Sequence, residues 1–411
     1  MHSLYSIFVQ IASFFLKLIA VFNPKIKLFV SGRKNTFNQL KEKINKEDAV
    51  IWVHTASLGE FEQGLPIIEK LKIDYPLHKI VVSFFSPSGY EVKKNSPIAD
   101  VIVYLPLDTK ENAEKFITLL QPKLVVFVKY EIWPNYLKAL EERKTPTLLI
   151  AALFKKEQVF FKWYGGFMRR SLNAFTHFFV QNEASVFLLK SINFPNVTIG
   201  GDTRFDRVSE ILERDNSLDF MYQFKQKEIC LVAGSTWPED EAILVNYINS
   251  SSKPIKYVFA PHTIKASKIQ ALIDSITKKT LLYSEIKSQD ISSYEVLIID
   301  TIGVLTKIYS YADIAYVGGA FSTGLHNTLE PAVFGIPIII GPHYKGFKEA
   351  EDLVDLKGIT PILNKTDFTK TFGNFLNSSD LIKRTGEINT SYIESNKGAS
   401  VLIMDFIHTV L

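Results

Sequence analysis

One cysteine, Cys230, stands in 411 residues. A disulfide framework and a cysteine-built zinc site within one chain are both excluded, which suits a reducing environment. Glycine and proline, 20 and 17 residues, are dispersed, so the chain is neither collagen-like nor of low complexity. No G-x-x-x-x-G-K-[ST] occurs, which removes a P-loop, and no G-x-G-x-x-G follows the first strand pattern, which weakens a dehydrogenase reading. D-x-D and H-E-x-x-H are also missing, so no dedicated divalent metal site or cofactor is expected. Nor is there a long uniform basic stretch of the kind that binds nucleic acid. What remains is ordinary globular composition, 46% hydrophobic and 22% charged, at a length that calls for about two domains.

Charge is unevenly distributed. The formal net charge is +4, yet residues 1–46 hold eight Lys and Arg against Glu42 alone, so the rest of the chain is slightly acidic. The leader is also apolar: Leu4 to Phe22 reads LYSIFVQIASFFLKLIAVF. Ser6, Gln10, Ser13 and Lys17 recur every three or four residues and would form one narrow polar face on a helix. Pro24 ends the run, and Lys25, Lys27, Arg33 and Lys34 follow. A cleaved signal peptide fits poorly, because no basic segment precedes the run and no small-residue cleavage site follows it. A spanning helix, an in-plane anchor and a buried domain helix stay open; the polar stripe suits the in-plane anchor best. Either membrane reading assigns the body to the cytoplasmic face, with the cations at anionic headgroups.

Beyond the leader, short β-branched and aromatic runs alternate with helical patterns. Seven runs lie between Val50 and Ile199, and six between Ile229 and Ile340. Continuous apolar strands with helical crossovers predict parallel sheets covered on both faces, and thirteen strands are too many for one typical sheet. Two Rossmann-like domains are expected: residues 25–206 after an anchor helix at 1–24, then 207–411. The polar stretch Arg207–Lys227 suits a connection between them, while a final helix from about Lys397 could pack on either. In such α/β sheets ligands bind beyond the carboxyl ends of the strands, so the segments after each strand are where chemistry should lie.

The first strand runs into Thr55-Ala56-Ser57-Leu58-Gly59-Glu60. Glu60 at a helix N-terminus reads either as a charge–dipole partner or as a general base. The fourth strand is followed by Glu131-Ile132-Trp133-Pro134, where Glu131 is either a helix-capping carboxylate or a site residue. The segment Gly200 to Asp206 brings Arg204, open to a surface ion pair with Asp202 or Asp206. In the second half, strand exits carry Ser235-Thr236, Pro261-His262, Ile302-Gly303, Gly318-Gly319 and Asn327-Thr328-Leu329-Glu330. Each is weak alone, but their recurrence suits the phosphate and ribose of a nucleotide.

These segments together resemble the 3-deoxy-D-manno-octulosonic acid (Kdo) transferases of lipopolysaccharide synthesis. The likeness runs through W-V-H-T-A-S-L-G-E (52–60), S-P-S-G (86–89), P-L-D (106–108), E-I-W-P-N (131–135), G-G-D-T-R-F-D (200–206), D-T-I-G (300–303), Y-V-G-G-A (316–320) and H-N-T-L-E-P-A (326–332). It implies the GT-B glycosyltransferase fold, two facing Rossmann-like domains, and metal-independent, inverting transfer of Kdo from CMP-Kdo to a lipid A precursor at a membrane surface. By the same resemblance Glu60 is the general base, and Glu131 and Arg204 stabilise the transition state. Pro261 and His262, Ile302 to Val304, and Asn327 to Glu330 correspond to CMP-binding segments, with Ser235, Thr236, Gly318 and Gly319 as phosphate loops. The chain departs from the family in having Lys129-Tyr130-Glu131 for Glu-Thr-Glu and Pro261-His262 for Arg-His. Val304 replaces a Glu, and Arg204 stands where Lys is usual. Lys129, Lys345 or Lys265 is a candidate replacement for the missing cation. A UDP-sugar enzyme of the same fold and an inactive nucleotide-binding module are the alternatives.

Overall fold

The structure is a computed structural model and describes residues 2–286, 290–322 and 324–411. The chain divides into two compact units, residues 1–207 with 397–411, and residues 208–396.

The first unit is built on seven parallel strands: β1 Ala49–Thr55, β2 His78–Phe84, β3 Val101–Tyr104, β4 Leu124–Val128, β5 Thr147–Ala152, β6 His177–Val180 and β7 Val197–Ile199. Their spatial order is β3-β2-β1-β4-β5-β6-β7. Alternation along β1 sends Val50 and Trp52 into one apolar layer and Ile51 and Val53 into the other, which is why this strand reads as continuously apolar.

The second unit has β8 Ile229–Thr236, β9 Ile255–Pro261, β10 Thr280–Leu282, β11 Val296–Ile298, β12 Ile314–Val317, β13 Ile338–Ile340 and β14 Ile359–Pro361, in the order β10-β11-β9-β8-β12-β13-β14. Apart from the added edge strands β7 and β10, both sheets follow the doubly wound order 3-2-1-4-5-6. In each, strand order reverses beside the unit's first strand, between β1 and β4 and between β8 and β12.

Three features depart from the sequence reading. Strand β14 went unread, because Ile-Thr-Pro is polar at its centre and ends in a proline, a residue found in strands only at edges such as this one. The stretch Arg207–Lys227 is more than a polar connection: Asp219–Lys225 is helical and buries Met221 and Phe224. The last helix, Ala399–Val410, was grouped with the second domain but packs on the first sheet. Ile403, Met404 and Ile407 join the layer that holds Ile51 and Val53, and Asp206 accepts from the amides of Gly398 and Ser400 at 2.6 and 2.8 Å.

The apolar leader is a helix, His2–Ile19, followed by Pro24–Gly32, whose start is capped by the Asn23 side chain. It is the one described helix long and apolar enough to cross a membrane. Its inner face is Ser6, Val9, Ser13 and Leu16; its outer face leaves Leu4, Ile7, Phe8, Ile11, Phe14, Phe15 and Leu18 exposed. Ser6 accepts from the Asn135 side-chain amide at 3.1 Å, and burial and then Asp108 raise the Tyr5 hydroxyl's pKa.

Candidate functional site

At the switch point of the first sheet, β1 delivers Trp52 and His54 to the same side. Trp52 Nε1 donates to Ser83 Oγ at 2.7 Å, and His54 Nδ1 lies 2.8 Å from that hydroxyl. The other imidazole nitrogen lies 3.2 Å from Glu131 Oε2. Trp133 Nε1 donates to the same carboxylate oxygen at 2.8 Å. Pro134 opens the helix Pro134–Glu142, where its missing N–H costs nothing. Asp108 accepts from the next two amides, at 3.2 and 3.1 Å. The loop bearing Glu131 is therefore clamped from both ends.

Glu60 is the third residue of Leu58–Asp74, the helix that follows β1. Its Oε2 accepts from the amides of Ala56 and Ser57 at 2.5 and 3.0 Å. Among the described residues no hydrogen bond ends on its Oε1. Burial raises the pKa of this carboxyl, and the neighbouring Glu131 raises it further; His54 and the two amides oppose the shift without cancelling it. The geometry thus satisfies the capping reading and still leaves a basic oxygen.

Arg204 pairs with Asp202, its guanidinium reaching Oδ2 from Nε at 3.0 Å and from a terminal nitrogen at 2.8 Å. Gln63 donates to the same carboxylate at 3.1 Å. Burial pushes Asp202 up, but the charge and hydrogen bonds of Arg204 outweigh it and hold the acid below its ordinary value. Burial, then Glu60, then Asp202 raise the Tyr130 hydroxyl, which ties the arginine pair to the Glu60 neighbourhood.

In the second unit the switch point is a ring stack on a glycine turn. Trp237 lies over His262 with centroids 4.6 Å apart and planes 19° apart; His262 meets His326 at 4.7 Å. Trp237 Nε1 donates to His326 Nε2 at 3.1 Å. Burial, then His262, lower the His326 pKa. Asp240, fully buried, accepts from the amides of Trp237 and Gly319, each at 2.9 Å, and from Tyr316 Oη at 2.7 Å. A side chain at Gly318 would overlap the Ser235 carbonyl oxygen, and Gly319 has φ +96°, so both positions require glycine. Ser235, with φ +54°, lies at the bulge that ends β8.

The structure thus brings Ser235, Thr236, His262, Gly318 and Gly319 together. It sets Ile302, Gly303 and Val304 on another exit, after β11, with Ile302 89% exposed. Glu330 accepts from Thr306 Oγ1 at 2.9 Å and from the Asn327 side chain at 3.0 Å, joining this exit to the 327–330 turn. Thr328 and Leu329 are buried, so that turn presents backbone rather than their side chains. Pro261 lines a cavity of 300 Å³ with Thr236, Trp237, Thr263 and Lys268. Lys268 is a cation that the sequence reading did not single out. Lys265 immediately precedes the helix Ala266–Ser275, Lys129 has φ +64°, and Lys345 sits 5.1 Å from the Tyr344 ring. Among the described residues no cluster of three or more His, Cys, Asp or Glu side chains could hold a metal ion.

The reading from sequence also passed over His54, Ser83, Trp237 and Asp240 as site residues. The spacing of Trp52 and His54 along one strand face was the available signal; no spacing signals the ring stack.

Residues 32–207 match the family described as 3-deoxy-D-manno-octulosonic-acid transferase (kdotransferase). A 3-deoxy-D-manno-octulosonic acid transferase of Aquifex aeolicus is 27% identical over 365 residues, covering 86% of this chain and 94% of that one. One from Chlamydophila psittaci is 27% identical over 368 residues, covering 84% and 83%. Among solved structures, the UDP-GlcNAc 2-epimerase of Neisseria meningitidis superposes with a TM-score of 0.61 at 15% identity, covering 88% of this chain and all of that one. MurG of Acinetobacter baumannii does so at 0.52 and 12%, covering 88% and 99%. These two share the GT-B fold of paired Rossmann-like units.

Proposed function

We propose that this chain is a Kdo transferase, which transfers Kdo from CMP-Kdo to a lipid A precursor in lipopolysaccharide synthesis; the match of residues 32–207 to that family and the two relatives 27% identical over most of the chain support the reading. The observation that carries the reading is the Glu60–Glu131 pair, at the switch point and inside the family-matched segment. Glu60 takes the proton of an acceptor hydroxyl on Oε1 while its Oε2 is held by two amides. The hydroxyl oxygen attacks the anomeric carbon of Kdo from the face opposite the phosphate, with inversion. The bond from that carbon to the phosphate oxygen breaks, and CMP carries away its electron pair. Burial next to Glu131 makes Glu60 a stronger base than an exposed glutamate, and a positioned base contributes about 10²–10⁴-fold. Glu131, fixed by His54 and Trp133, faces the positive charge that develops on the sugar, as carboxylates do in glycoside hydrolysis.

Arg204 adds a cation for the donor's carboxylate or phosphate. The glycine turn at 318–319, His262 and the 302–304 and 327–330 segments are assigned to CMP, with amides and imidazole stabilising the leaving phosphate. The departures at 261 and 304 argue for fewer side-chain contacts to CMP, and Lys268 is the nearest candidate to replace the missing arginine. The first helix is assigned to the membrane surface, in its plane, supported by its docked inner face and apolar outer face. The cations that follow it favour the cytoplasmic side. Isothermal titration tests the donor: CMP should bind and UDP should not. A preference for UDP would transfer the chain to the UDP-sugar alternative.

A further inference from the structure

A second exposed apolar feature stands apart from the first helix. From the end of β5 into the helix Gly166–Ser171 the chain reads KKEQVFFKWYGGFMRR from 155 to 170, five cations with one acid. At its tip Trp163 is 93% exposed and Tyr164 62%. Their rings pack edge to face, with centroids 5.5 Å apart.

This tip is firmly held at its base. Phe154 and Phe160 are buried and touch at 6.1 Å. Arg169 donates to the carbonyls of Phe160 and Lys162 at 2.8 and 2.9 Å. Gly165 donates to the Lys162 carbonyl at 3.0 Å, and a side chain there would overlap the Val159 carbonyl. A fixed turn that presents a bare indole gains nothing from it in folding. Just beyond the turn, Phe167 meets His2 at 4.9 Å and Tyr5 at 5.7 Å, so the tip adjoins the start of the first helix.

We propose that Trp163 and Tyr164 are a second membrane contact, which dips into the interface of an anionic bilayer beside the outer face of the first helix. Indole and phenol rings favour the boundary between headgroups and acyl chains. The surrounding Lys155, Lys156, Lys162 and Arg170 complement anionic headgroups. Two contacts on one rigid unit fix its orientation on the surface, which one helix alone leaves free to roll. The inference rests on the membrane assignment of the first helix.

The test uses the full chain with vesicles of mixed phosphatidylglycerol and phosphatidylcholine, with and without brominated acyl chains. Bromine should quench the tryptophan fluorescence of the bound protein, and Trp163→Phe should remove most of that quenching. Trp163→Ser combined with Tyr164→Ser should weaken vesicle binding roughly tenfold, with thermal unfolding and CMP titration unchanged. If the protein binds vesicles but neither substitution alters quenching or affinity, the inference is overturned and the tip is left to a protein partner. If the unaltered chain does not bind at all, the membrane assignment of the first helix falls as well.

Discussion

The two switch points share a strand order but use opposite chemistry. In the first unit the exits of β1 and β4 concentrate negative charge, and Glu131 next to Glu60 raises the latter's pKa. In the second the exit of β8 carries Glu239, Asp240 and Glu241, but each carboxylate is engaged or turned aside: Asp240 is fully buried, bonded to two amides and a tyrosine, and Glu241 accepts from Thr236 Oγ1 at 2.9 Å. What that site offers outward is mostly backbone, glycine and aromatic rings, with Glu241 and Lys268 on the wall of the adjoining cavity. A doubly wound sheet fixes where a ligand goes and leaves open what the site does there. On the proposed reading the first switch point moves a proton and the second holds a nucleotide.

The sharpest way to break this division is Glu60→Gln. Turnover should fall about 10²–10⁴-fold, while calorimetry should return unchanged CMP affinity. Loss of both together would mean that the two sites do not divide the work.

The converse change is Gly318→Ala. Its methyl group meets the Ser235 carbonyl oxygen, and backbone cannot yield as a side chain can. Stability should drop by about 2 kcal/mol and CMP affinity should fall with it. Denaturant melts and titration read the two, and an unaltered CMP affinity would remove the 318–319 turn from the nucleotide site.

Arg204→Ala leaves the Asp202 carboxylate buried, with the Gln63 side chain and the backbone amide of residue 204 as its remaining close donors. Because the arginine is a third exposed, the cost should be about 2 kcal/mol, below that of a fully buried pair. Donor KM should rise as well; an effect on stability alone would make the arginine purely structural.

The acid limb of the pH–rate profile sharpens the account of Glu60. Its raised pKa means the base is protonated, and kcat/KM falls, at a higher pH than for an ordinary glutamate. Glu131→Gln removes a cause of the rise and should move that limb to lower pH; His54→Gln should move it the other way. A second pH effect, on stability rather than turnover, belongs to Asp108, whose pKa burial raises to about 6. The folded state therefore holds this proton more tightly than the unfolded one. The resulting stability is fully present below the unfolded value of 3.8 and is lost as pH rises towards about 6. Asp108→Asn should flatten that part of the stability curve, measured by thermal melts across the range.

Much of the fold was legible because parallel strands covered on both faces are apolar throughout, as Val50–Val53 and Leu124–Val128 are. The polar centre and terminal proline of β14 hid it, and the last helix carries apolar residues that either sheet could have covered. At the site, residues next to a strand end, such as Glu60 and Glu131, could be read from position. The Trp237–His262–His326 stack could not, since three rings far apart in sequence meet only once β8, β9 and β12 are paired. His54 stood inside a quoted motif, yet its link to Glu131 depends on the pairing of β1 with β4.

The central claim is transfer of Kdo with Glu60 as base. Mass spectrometry of the glycolipid after incubation with CMP-Kdo and lipid A precursor tests it most directly, run beside the folded Glu60→Gln variant. The account predicts a product heavier by one or more Kdo units with CMP released, and almost none from the variant. Product formed equally well by the variant, or no Kdo added by the unaltered chain, would contradict it.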